Sequence, residues 1–411
     1  MRHIYFPFRT LFSSIALMLL PAVAGAVERF PRPEFDNNHV IPAPSVPPPP
    51  PSWVYIFDIS LLFLALVAAA YFALKGRSRK GMTGVMLFSL AYFGFFKHGC
   101  VCSVGSLQNV VFALAEPSYH LSWVIFAVFA LPLVFSLFFG RVFCGGVCPL
   151  GAIQDIVILK PLKVPRRLDE ALGLLPYIYL GFAVLLAATG SMFLICRYDP
   201  FVGFFRLSSS VTMTAAGAAV LLLGVFIARP YCRYLCPYGV LLRITSYFSR
   251  FRLKITQDEC ISCRLCENSC PFGAVRKPAD TPPPEPRKQG IRRLLLYFVV
   301  FPFIVAVCGF AGRTAAPYIS GLNPVVARAE YLRNSRNTVS TGEFKFINRA
   351  ALKIEEDFKE WSLLLGLFTG IVIGAKLIAL SIYPSGKIFH PDKMKCLSCT
   401  RCIPSCPLNR K

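Results

Sequence analysis

The segment Cys260-Ile-Ser-Cys-Arg-Leu-Cys-Glu-Asn-Ser-Cys-Pro271 sets the organisation of this 411-residue chain. Its four cysteines follow the spacing C-x2-C-x2-C-x3-C and are followed directly by proline. The same pattern returns 136 residues further on, as Cys396-Leu-Ser-Cys-Thr-Arg-Cys-Ile-Pro-Ser-Cys-Pro407. Because a pattern this long occurs twice, we expect both segments to have the same chemical role.

The spacing is that of bacterial ferredoxin segments, which bind [4Fe–4S] cubanes through cysteine thiolates. Three closely spaced thiolates hold one cubane, and the fourth, which the turn before proline carries away, ligates the other cubane. Zinc sites usually show two separated C-x2-C pairs, and disulfides are disfavoured in a reducing compartment. The sequence therefore predicts two [4Fe–4S] clusters. The predicted first site is Cys260, Cys263, Cys266 and Cys406, and the predicted second site is Cys396, Cys399, Cys402 and Cys270.

The composition excludes an ordinary soluble domain. Hydrophobic residues make up 55% of the chain and charged residues only 16%, against roughly 45–50% and 25% in soluble proteins. Seven apolar runs are long enough, or nearly so, for membrane helices. They lie at about 53–74, 82–96, 120–139, 173–195, 211–228, 293–312 and 362–382. We predict an all-α polytopic membrane protein whose cytoplasmic two-cluster module is assembled from two separated segments.

The distribution of basic residues predicts the orientation. With the mature N-terminus outside, the inner stretches hold 28 Lys and Arg and the outer stretches hold 13. This follows the positive-inside rule and places both ferredoxin segments on the cytoplasmic side of a bacterial inner membrane. Much of the net charge of +23 is thereby accounted for by topology, so no nucleic-acid partner is needed to explain it.

The N-terminus has the pattern of a secretory signal, and an uncleaved first membrane helix is the alternative. Arg2 and Arg9 precede an apolar stretch, and Ala24-Gly25-Ala26 offers a cleavage site. The predicted domains are a signal peptide (1–26), a Pro-rich periplasmic segment (27–52), a membrane domain (53–255), a first ferredoxin-type segment (256–290), two membrane helices with the periplasmic loop 313–361 (291–382), and a C-terminal ferredoxin-type segment (383–411).

Four further cysteines lie in a second repeat, R-x-aromatic-C-x3-C-P-x-G. The two copies begin at Arg141 and Arg229 and contain Cys144, Cys148, Cys232 and Cys236. Residues four apart share one face of a helix, so each pair of sulfurs points the same way. The repeat could form a four-thiolate metal or cluster site or two redox-active dithiols, and inert buried cysteines are the remaining interpretation.

A weaker third copy occurs on the predicted outer side. Cys102, with glycine and glutamine at the same following positions, resembles the segment that begins at Cys148. Cys100 or Cys102 could form a disulfide with Cys196, or these thiols and His98 could bind a metal. Cys308, inside the sixth apolar run, is predicted to be a small core residue.

The whole pattern resembles the NapH/NosR-type membrane-bound polyferredoxins, which combine membrane helices, two C-x3-C-P motifs and two ferredoxin runs. The resemblance covers roughly residues 80–290 and the C-terminal tail. It implies electron transfer between a quinone pool, or a cytoplasmic donor, and a periplasmic redox partner, with the chain as an electron carrier or the membrane component of a quinol dehydrogenase. The outer N-terminal segment is too short for the periplasmic flavin domain of the larger NosR-type members.

Other functional classes have less support in the sequence. The chain has no C-x-x-C-H motif, so haem is not expected, and it has no P-loop or dinucleotide fingerprint. Asp58 and Lys376 lie in apolar runs, and we expect them to reach the outer headgroups and the cytoplasmic interface respectively. A redox-dependent maturation or regulatory factor for a periplasmic metalloenzyme is the main alternative, and a transporter is a weaker one.

Overall fold

The computed structural model of the chain describes residues 51–99, 101–159, 161–162, 164–206, 210–255, 260–278, 286–334, 341–381 and 388–409. The predicted signal peptide and nearly all of the Pro-rich segment lie outside these residues, as does Cys100.

The structure is mainly helical, and the helices are numbered in chain order. The helices that follow the predicted apolar runs are α1 (Ser52–Leu74), α2 (Arg79–Ser89), α4 (Trp123–Phe139), α7 (Leu175–Ala188), α10 (Val211–Phe226), α14 (Arg287–Ser320) and α16 (Thr341–Ser381). The others are α3 (Ser103–Ala115), α5 (Pro149–Ile156), α6 (Arg166–Leu172), α8 (Leu194–Tyr198), α9 (Val202–Arg206), α11 (Pro230–Tyr234), α12 (Tyr238–Tyr247), α13 (Leu265–Asn268) and α15 (Pro324–Asn334).

Among the described residues, four helical stretches are long and apolar enough to cross a membrane, and they support a membrane protein. These candidate spans are Ser52–Leu74, Leu168–Ala188, Lys288–Ser320 and Phe344–Ser381. The runs predicted at 82–96, 120–139 and 211–228 are also helical, but they are shorter. The first of these is not one regular helix, because α2 changes at Leu90 to a wider π-helical turn that ends at Phe96. The structure thus gives four candidate spans where the sequence predicts seven.

The helices α14 and α16 extend well beyond the apolar runs that predict them. They are 34 and 41 residues long and pack along each other. Much of the stretch 313–361, predicted as a loop, is therefore helical: it contains the end of α14, all of α15 and the start of α16. Glycines permit the close contact, since a Cβ on Gly366 would collide with the carbonyl group of Cys308. Cys308 thus lies at the crossing of the two helices.

The remaining helices pack around a core that is built mainly from α1, α2, α4 and the turn Phe143–Val147. Leu66, Ala69 and Met82 are fully buried in it. Asp58 of α1 is also buried, and it accepts a hydrogen bond from Tyr92 at 2.8 Å and pairs with Lys97 at 2.8 Å. Asp58 is therefore held by protein partners and does not reach the outer headgroups. Lys376 likewise forms an ion pair, with Glu170.

Two short strands, β1 (Val275–Arg276) and β2 (His390–Pro391), pair in antiparallel orientation. Strand β1 follows the first ferredoxin run, whereas β2 precedes the second. Their pairing brings the two segments together, although α14, α15 and α16 separate them in the chain.

Candidate iron–sulfur and cysteine sites

The two ferredoxin runs have the same backbone conformation at equivalent positions. Ser262 and Ser398 have φ of 54° and 53°, and Arg264 and Thr400 have φ of 61° and 62°. Positive φ is uncommon for residues other than glycine. Each run therefore makes the same tight turns between its first three cysteines, which leaves the sulfurs of Cys260, Cys263 and Cys266 on one loop.

The two runs contact each other around a local pseudo-twofold axis. The hydroxyl groups of Ser269 and Ser405, which occupy equivalent positions, form a hydrogen bond at 2.6 Å. A residue that contacts its own equivalent lies on the symmetry axis of a pair. Asp392 adds further contacts, because its backbone N–H donates to Ala274 at 2.7 Å and its carboxylate pairs with Arg276 at 2.6 Å. The C-terminal tail is thus attached to the middle of the chain.

Four cysteines from both runs line one cavity. Cys260, Cys263 and Cys266 come from the first run and Cys406 from the second. The other lining residues are Arg264 and the apolar Ile255, Ile261, Phe389 and Leu408. This is the group predicted as the first site.

The other four ferredoxin cysteines form a second group. Cys270 packs with Cys396 and Cys399 in one buried apolar cluster, together with Phe272, Ala274 and Leu397. The thiol of Cys402 is close enough to Cys270, Cys396 and Cys399 for their charges to interact. These are the four residues predicted as the second site, and three of them come from the second run.

The second group rests on the membrane domain through the buried carboxylate of Asp155. Asp155 in α5 accepts hydrogen bonds from Arg79 at 2.6 Å, from Arg229 at 3.0 Å and from Arg401 at 2.9 Å. Burial alone would raise the pKa of the Asp155 carboxyl, but the three guanidinium groups outweigh this and hold the pKa well below its usual range. Because Arg401 belongs to the second ferredoxin run, this carboxylate ties the C-terminal tail to α2 and α5.

Two arginines of the R-x-aromatic-C repeat lie between the second group and the membrane domain. Arg229 is fully buried, donates to the carbonyl oxygen of Cys144 and lies within electrostatic range of Cys399. Arg141 is also buried and donates to the carbonyl oxygen of Met394 at 3.1 Å and, more weakly, to the sulfur of Cys144 at 3.6 Å. Positive charge is therefore concentrated where anionic thiolates meet.

The cysteines of the C-x3-C-P motifs form the inner cysteine group. The structure brings all four together, since Cys144, Cys232 and Cys236 pack against the same buried core that contains Cys148 and lie within electrostatic range of it. Gln154 donates a hydrogen bond to the sulfur of Cys232 at 3.3 Å, and the backbone of Gly239 donates to Cys236 at 3.4 Å. Hydrogen bonds to sulfur are typical of metal-bound thiolates, where they tune the potential.

The inner cysteine group touches the second ferredoxin group. Cys144 packs in the same apolar cluster as Cys270, Cys396 and Cys399. At Gly145 the approach is so close that an added Cβ would collide with the carbonyl oxygen of Leu397. Within the described part of the chain, no three His, Cys, Asp or Glu side chains converge on the position of a single metal ion.

The outer cysteines are only partly brought together. The sulfur of Cys102 accepts a hydrogen bond from the backbone of Gly105 at 3.5 Å, and the sulfur of Cys196 lies 3.2 Å from where a Cβ on Gly105 would be. The ring nitrogen Nδ1 of His98 faces the carbonyl oxygen of Phe205 at 3.3 Å.

The sequence does not identify Asp155 or Gln154 as site residues. Both lie in the helix that follows the Cys148-Pro149 turn, and only their long-range contacts identify them.

Comparison with known proteins agrees with this chemistry. A family model described as a 4Fe-4S binding domain matches residues 119–167 and 211–256, which include the inner cysteine group. A second model with the same description matches residues 253–276, which include the first ferredoxin run. No solved structure matches the chain. The family matches assign iron–sulfur clusters to this protein.

Several curated relatives match parts of the chain. YccM of Escherichia coli strain K12, whose name assigns it provisionally to electron transport, is 28% identical over 41% of this chain and 52% of its own length. Protein NirI of Paracoccus denitrificans is 29% identical over 57% of this chain and 38% of its own length. Regulatory protein NosR of Pseudomonas aeruginosa is 31% identical over 47% of this chain and 29% of its own length. The chain therefore spans about half or less of the length of each of these three relatives.

Proposed function

We propose that the chain is a 4Fe-4S electron-transfer protein of the NapH/NosR type, which its partial matches support, and that it relays electrons through two crossed [4Fe–4S] clusters to the inner cysteine group. The observation that carries the proposal is the contact between the second ferredoxin group and Cys144, at the edge of the membrane domain. The first cluster is held by Cys260, Cys263, Cys266 and Cys406, and the second by Cys396, Cys399, Cys402 and Cys270.

The order of the sites follows from their contacts. The first cluster lies against apolar side chains at the end of the C-terminal tail, away from the inner cysteine group. Cys396 and Cys402 of the second site pack with cysteines of the first site, and Cys396 and Cys399 pack with Cys144, so the second site is in contact with both. Electrons therefore pass singly from one cluster to the next and then to the inner cysteine group, or in the reverse direction. Cubanes exchange electrons without proton transfer, so these steps need no acid–base residues.

The buried arginines adjust the second cluster. A cluster becomes more negative when it is reduced, so nearby positive charge stabilises the reduced form and raises its reduction potential. Arg141 and Arg229 both lie beside this group. Replacing Arg141 with glutamine removes one charge, and we expect the potential of the second cluster to fall while that of the first changes less.

The cellular setting of the relay is a bacterial inner membrane with the clusters on the cytoplasmic side, which the excess of Lys and Arg in the inner stretches supports. The donor or acceptor on the membrane side is a quinone, and the final partner is a periplasmic redox protein. Oxidation of one quinol releases two electrons and two protons, so two successive one-electron transfers to the clusters balance each turnover.

The crossed ligation is tested by cysteine substitutions with matched partners. If Cys406 ligates the cluster of the first run, Cys406→Ala alters the same electron paramagnetic resonance signal as Cys260→Ala. Cys270→Ala then alters the same signal as Cys396→Ala. Iron and sulfide analysis gives the number of clusters. The opposite grouping, in which Cys406→Ala and Cys396→Ala alter one signal, would overturn the crossed assignment.

The quinone step is tested separately. Purified protein in detergent is mixed anaerobically with a series of quinols of different potentials, and cluster reduction is followed by absorbance. Reduction by at least one quinol supports the relay. Absence of reduction across the whole series, in protein whose clusters dithionite reduces, excludes quinol oxidation by this chain.

A regulatory or maturation role is the second candidate, because one relative bears the name regulatory protein. In that role the clusters would reduce or sense a partner metalloenzyme without steady quinol turnover. Deletion of the gene distinguishes the two functions. Loss of electron flux with an intact partner enzyme favours the relay, whereas normal flux with a cofactor-deficient partner favours maturation.

A further inference from the structure

The segment around Cys102, on the predicted outer side of the membrane domain, resembles part of the inner cysteine group. We call the two segments the outer copy and the inner copy. In the inner copy a cysteine at the start of a helix is followed by glycine three positions later and by glutamine six positions later. The outer copy has the same residues at the same spacing and also begins a helix. The two copies are Cys102, Gly105 and Gln108 in α3, and Cys148, Gly151 and Gln154 in α5.

The glutamines make equivalent contacts in the two copies. The side-chain oxygen of Gln154 accepts a hydrogen bond from the backbone of Tyr231 at 3.0 Å. That of Gln108 accepts from the backbone of Ile195 at 2.9 Å. The next residue is a cysteine in both cases, Cys232 in the inner copy and Cys196 in the outer copy.

The sequence after these cysteines also corresponds. Cys232-Arg-Tyr-Leu-Cys236-Pro in the inner copy matches Cys196-Arg-Tyr-Asp199-Pro in the outer copy, which is one residue shorter. Asp199 therefore stands where the inner group has its fourth cysteine. Its side chain is buried and lines one cavity together with Cys102. The sulfurs of Cys102 and Cys196 both lie beside Gly105, because Cys102 accepts a hydrogen bond from the Gly105 backbone at 3.5 Å and Cys196 lies 3.2 Å from where a Cβ on Gly105 would be.

The amide of Gln108 supplies an independent indication of a ligand. The residue is fully buried, yet its side-chain Nε2 has no hydrogen-bond partner among the described residues. Its oxygen also accepts from the backbone of Cys196 at 3.4 Å, so the amide lies directly beside that residue. In the inner copy the same nitrogen of Gln154 donates to the sulfur of Cys232. A metal-bound thiolate at Cys196 would accept the hydrogen bond that Gln108 lacks.

We propose that Cys102, Cys196 and Asp199 form a binding site for a thiophilic transition-metal ion, with Gln108 as a positioning residue. Two thiolates and a carboxylate are suitable ligands for zinc, iron or copper, and they leave one coordination position open. As in the inner group, the side chains do not converge on one point here, and a bound ion draws them together. Cys196 is exposed and provides the entry path.

The location of this site relates it to the inner cysteine group. One cavity is lined by Cys102 and Asp199 and also by Cys148 of the inner group. The hydroxyl group of Tyr231 lies 3.4 Å from the carboxylate of Asp199. The metal would therefore face the inner group across a shared cavity. The proposal goes beyond the cluster relay and holds whether or not quinol is its donor.

The metal content of the full-length protein, isolated anaerobically, tests the site. Iron, copper and zinc are measured per chain for the wild type and for Cys196→Ser and Asp199→Asn. We expect each variant to lose most of one metal, about one ion per chain, while the cubane absorbance is unchanged. Asp199→Asn keeps the side-chain oxygen that accepts from the backbone of Phe201, so the local fold is retained. Cys308→Ala, in α14, is the matched control and keeps the full metal content.

Cobalt provides a second readout. Co²⁺ added to chelator-treated wild-type protein is expected to give a thiolate-to-metal charge-transfer band that Cys196→Ser lacks. Equal metal content in all variants would overturn the proposal, as would a Cys102–Cys196 disulfide detected by mass spectrometry in the isolated protein. Failure of the cluster relay is recognised separately, by the opposite grouping of the cubane signals in the Cys406 and Cys270 variants or by the absence of reduction by quinols, neither of which depends on this metal.

Discussion

Replacement of Asp155 by asparagine measures how strongly one buried carboxylate holds the C-terminal tail on the membrane domain. The side chain of Asp155 is 0% exposed and that of Arg229 is 1% exposed. Removing one partner of a buried ion pair costs about 3–5 kcal/mol, because the other charge is left uncompensated. The pairs with Arg79 and Arg401 are partly exposed, so each adds only about 0–1 kcal/mol.

The asparagine side chain keeps one oxygen that can accept a hydrogen bond, so we expect a loss near the lower limit, about 3 kcal/mol. This corresponds to a roughly 100-fold increase in the undocked fraction of the tail. Limited trypsin digestion in detergent measures it, since cleavage at Lys393 and Lys395 follows the population of the open form when opening is fast. The cluster of the second group should be lost in parallel with cleavage.

The control is Glu355→Gln, which removes a partly exposed pair with Arg333. We expect this variant to change the cleavage rate by less than about fivefold, since such pairs contribute about 0–1 kcal/mol. If Asp155→Asn leaves both the cleavage rate and the clusters as in the wild type, the carboxylate does not hold the tail, and our account of docking is wrong.

Further predictions concern packing and pH. Gly145→Ala should loosen the tail by about 1–3 kcal/mol through overpacking, seen as faster trypsin cleavage, whereas Gly84→Ala, where nothing lies within 4 Å, should be neutral or slightly stabilising. Gly366→Val should separate α14 from α16 and lower the melting temperature in detergent, and an unchanged melting temperature would contradict the packing described. Burial alone would raise the pKa of the Asp155 and Asp392 carboxyls, but arginine charges lower that of Asp155, and backbone hydrogen bonds together with Arg276 lower that of Asp392. The stability that these two ion pairs contribute is therefore present above the unfolded-state pKa of about 3.9 and is lost only as the pH falls further. Cleavage of the C-terminal tail, measured at each pH with a protease that is active at that pH, should therefore be constant from pH 7 to 5. Release of the tail between pH 6 and 5 would contradict this.

The sequence alone identified the chemistry because the spacing of cysteines is local. Three thiolates can surround a cubane only if the chain turns tightly between them, and the C-x2-C-x2-C spacing encodes that turn within seven residues. The apolar runs are local in the same sense, and each predicted run is largely helical in the structure. The sequence underestimated the length of the two long helices α14 and α16. Polar residues after 312 and before 362 suggested a loop, but contact between α14 and α16 continues their helices into that stretch.

The tertiary structure decided how these local units are joined. Nothing in the sequence indicates that Arg401 meets Asp155 or that Gly145 lies against Leu397. The sequence left open whether the two C-x3-C-P pairs form one four-thiolate site or two separate dithiols. These contacts link residues up to several hundred positions apart, and they depend on burial and charge pairing that only the folded chain provides. The sequence by itself thus predicted which cysteines bind clusters. The packing of the tail on α2 and α5 determined which of them meet, because a buried arginine requires its carboxylate partner.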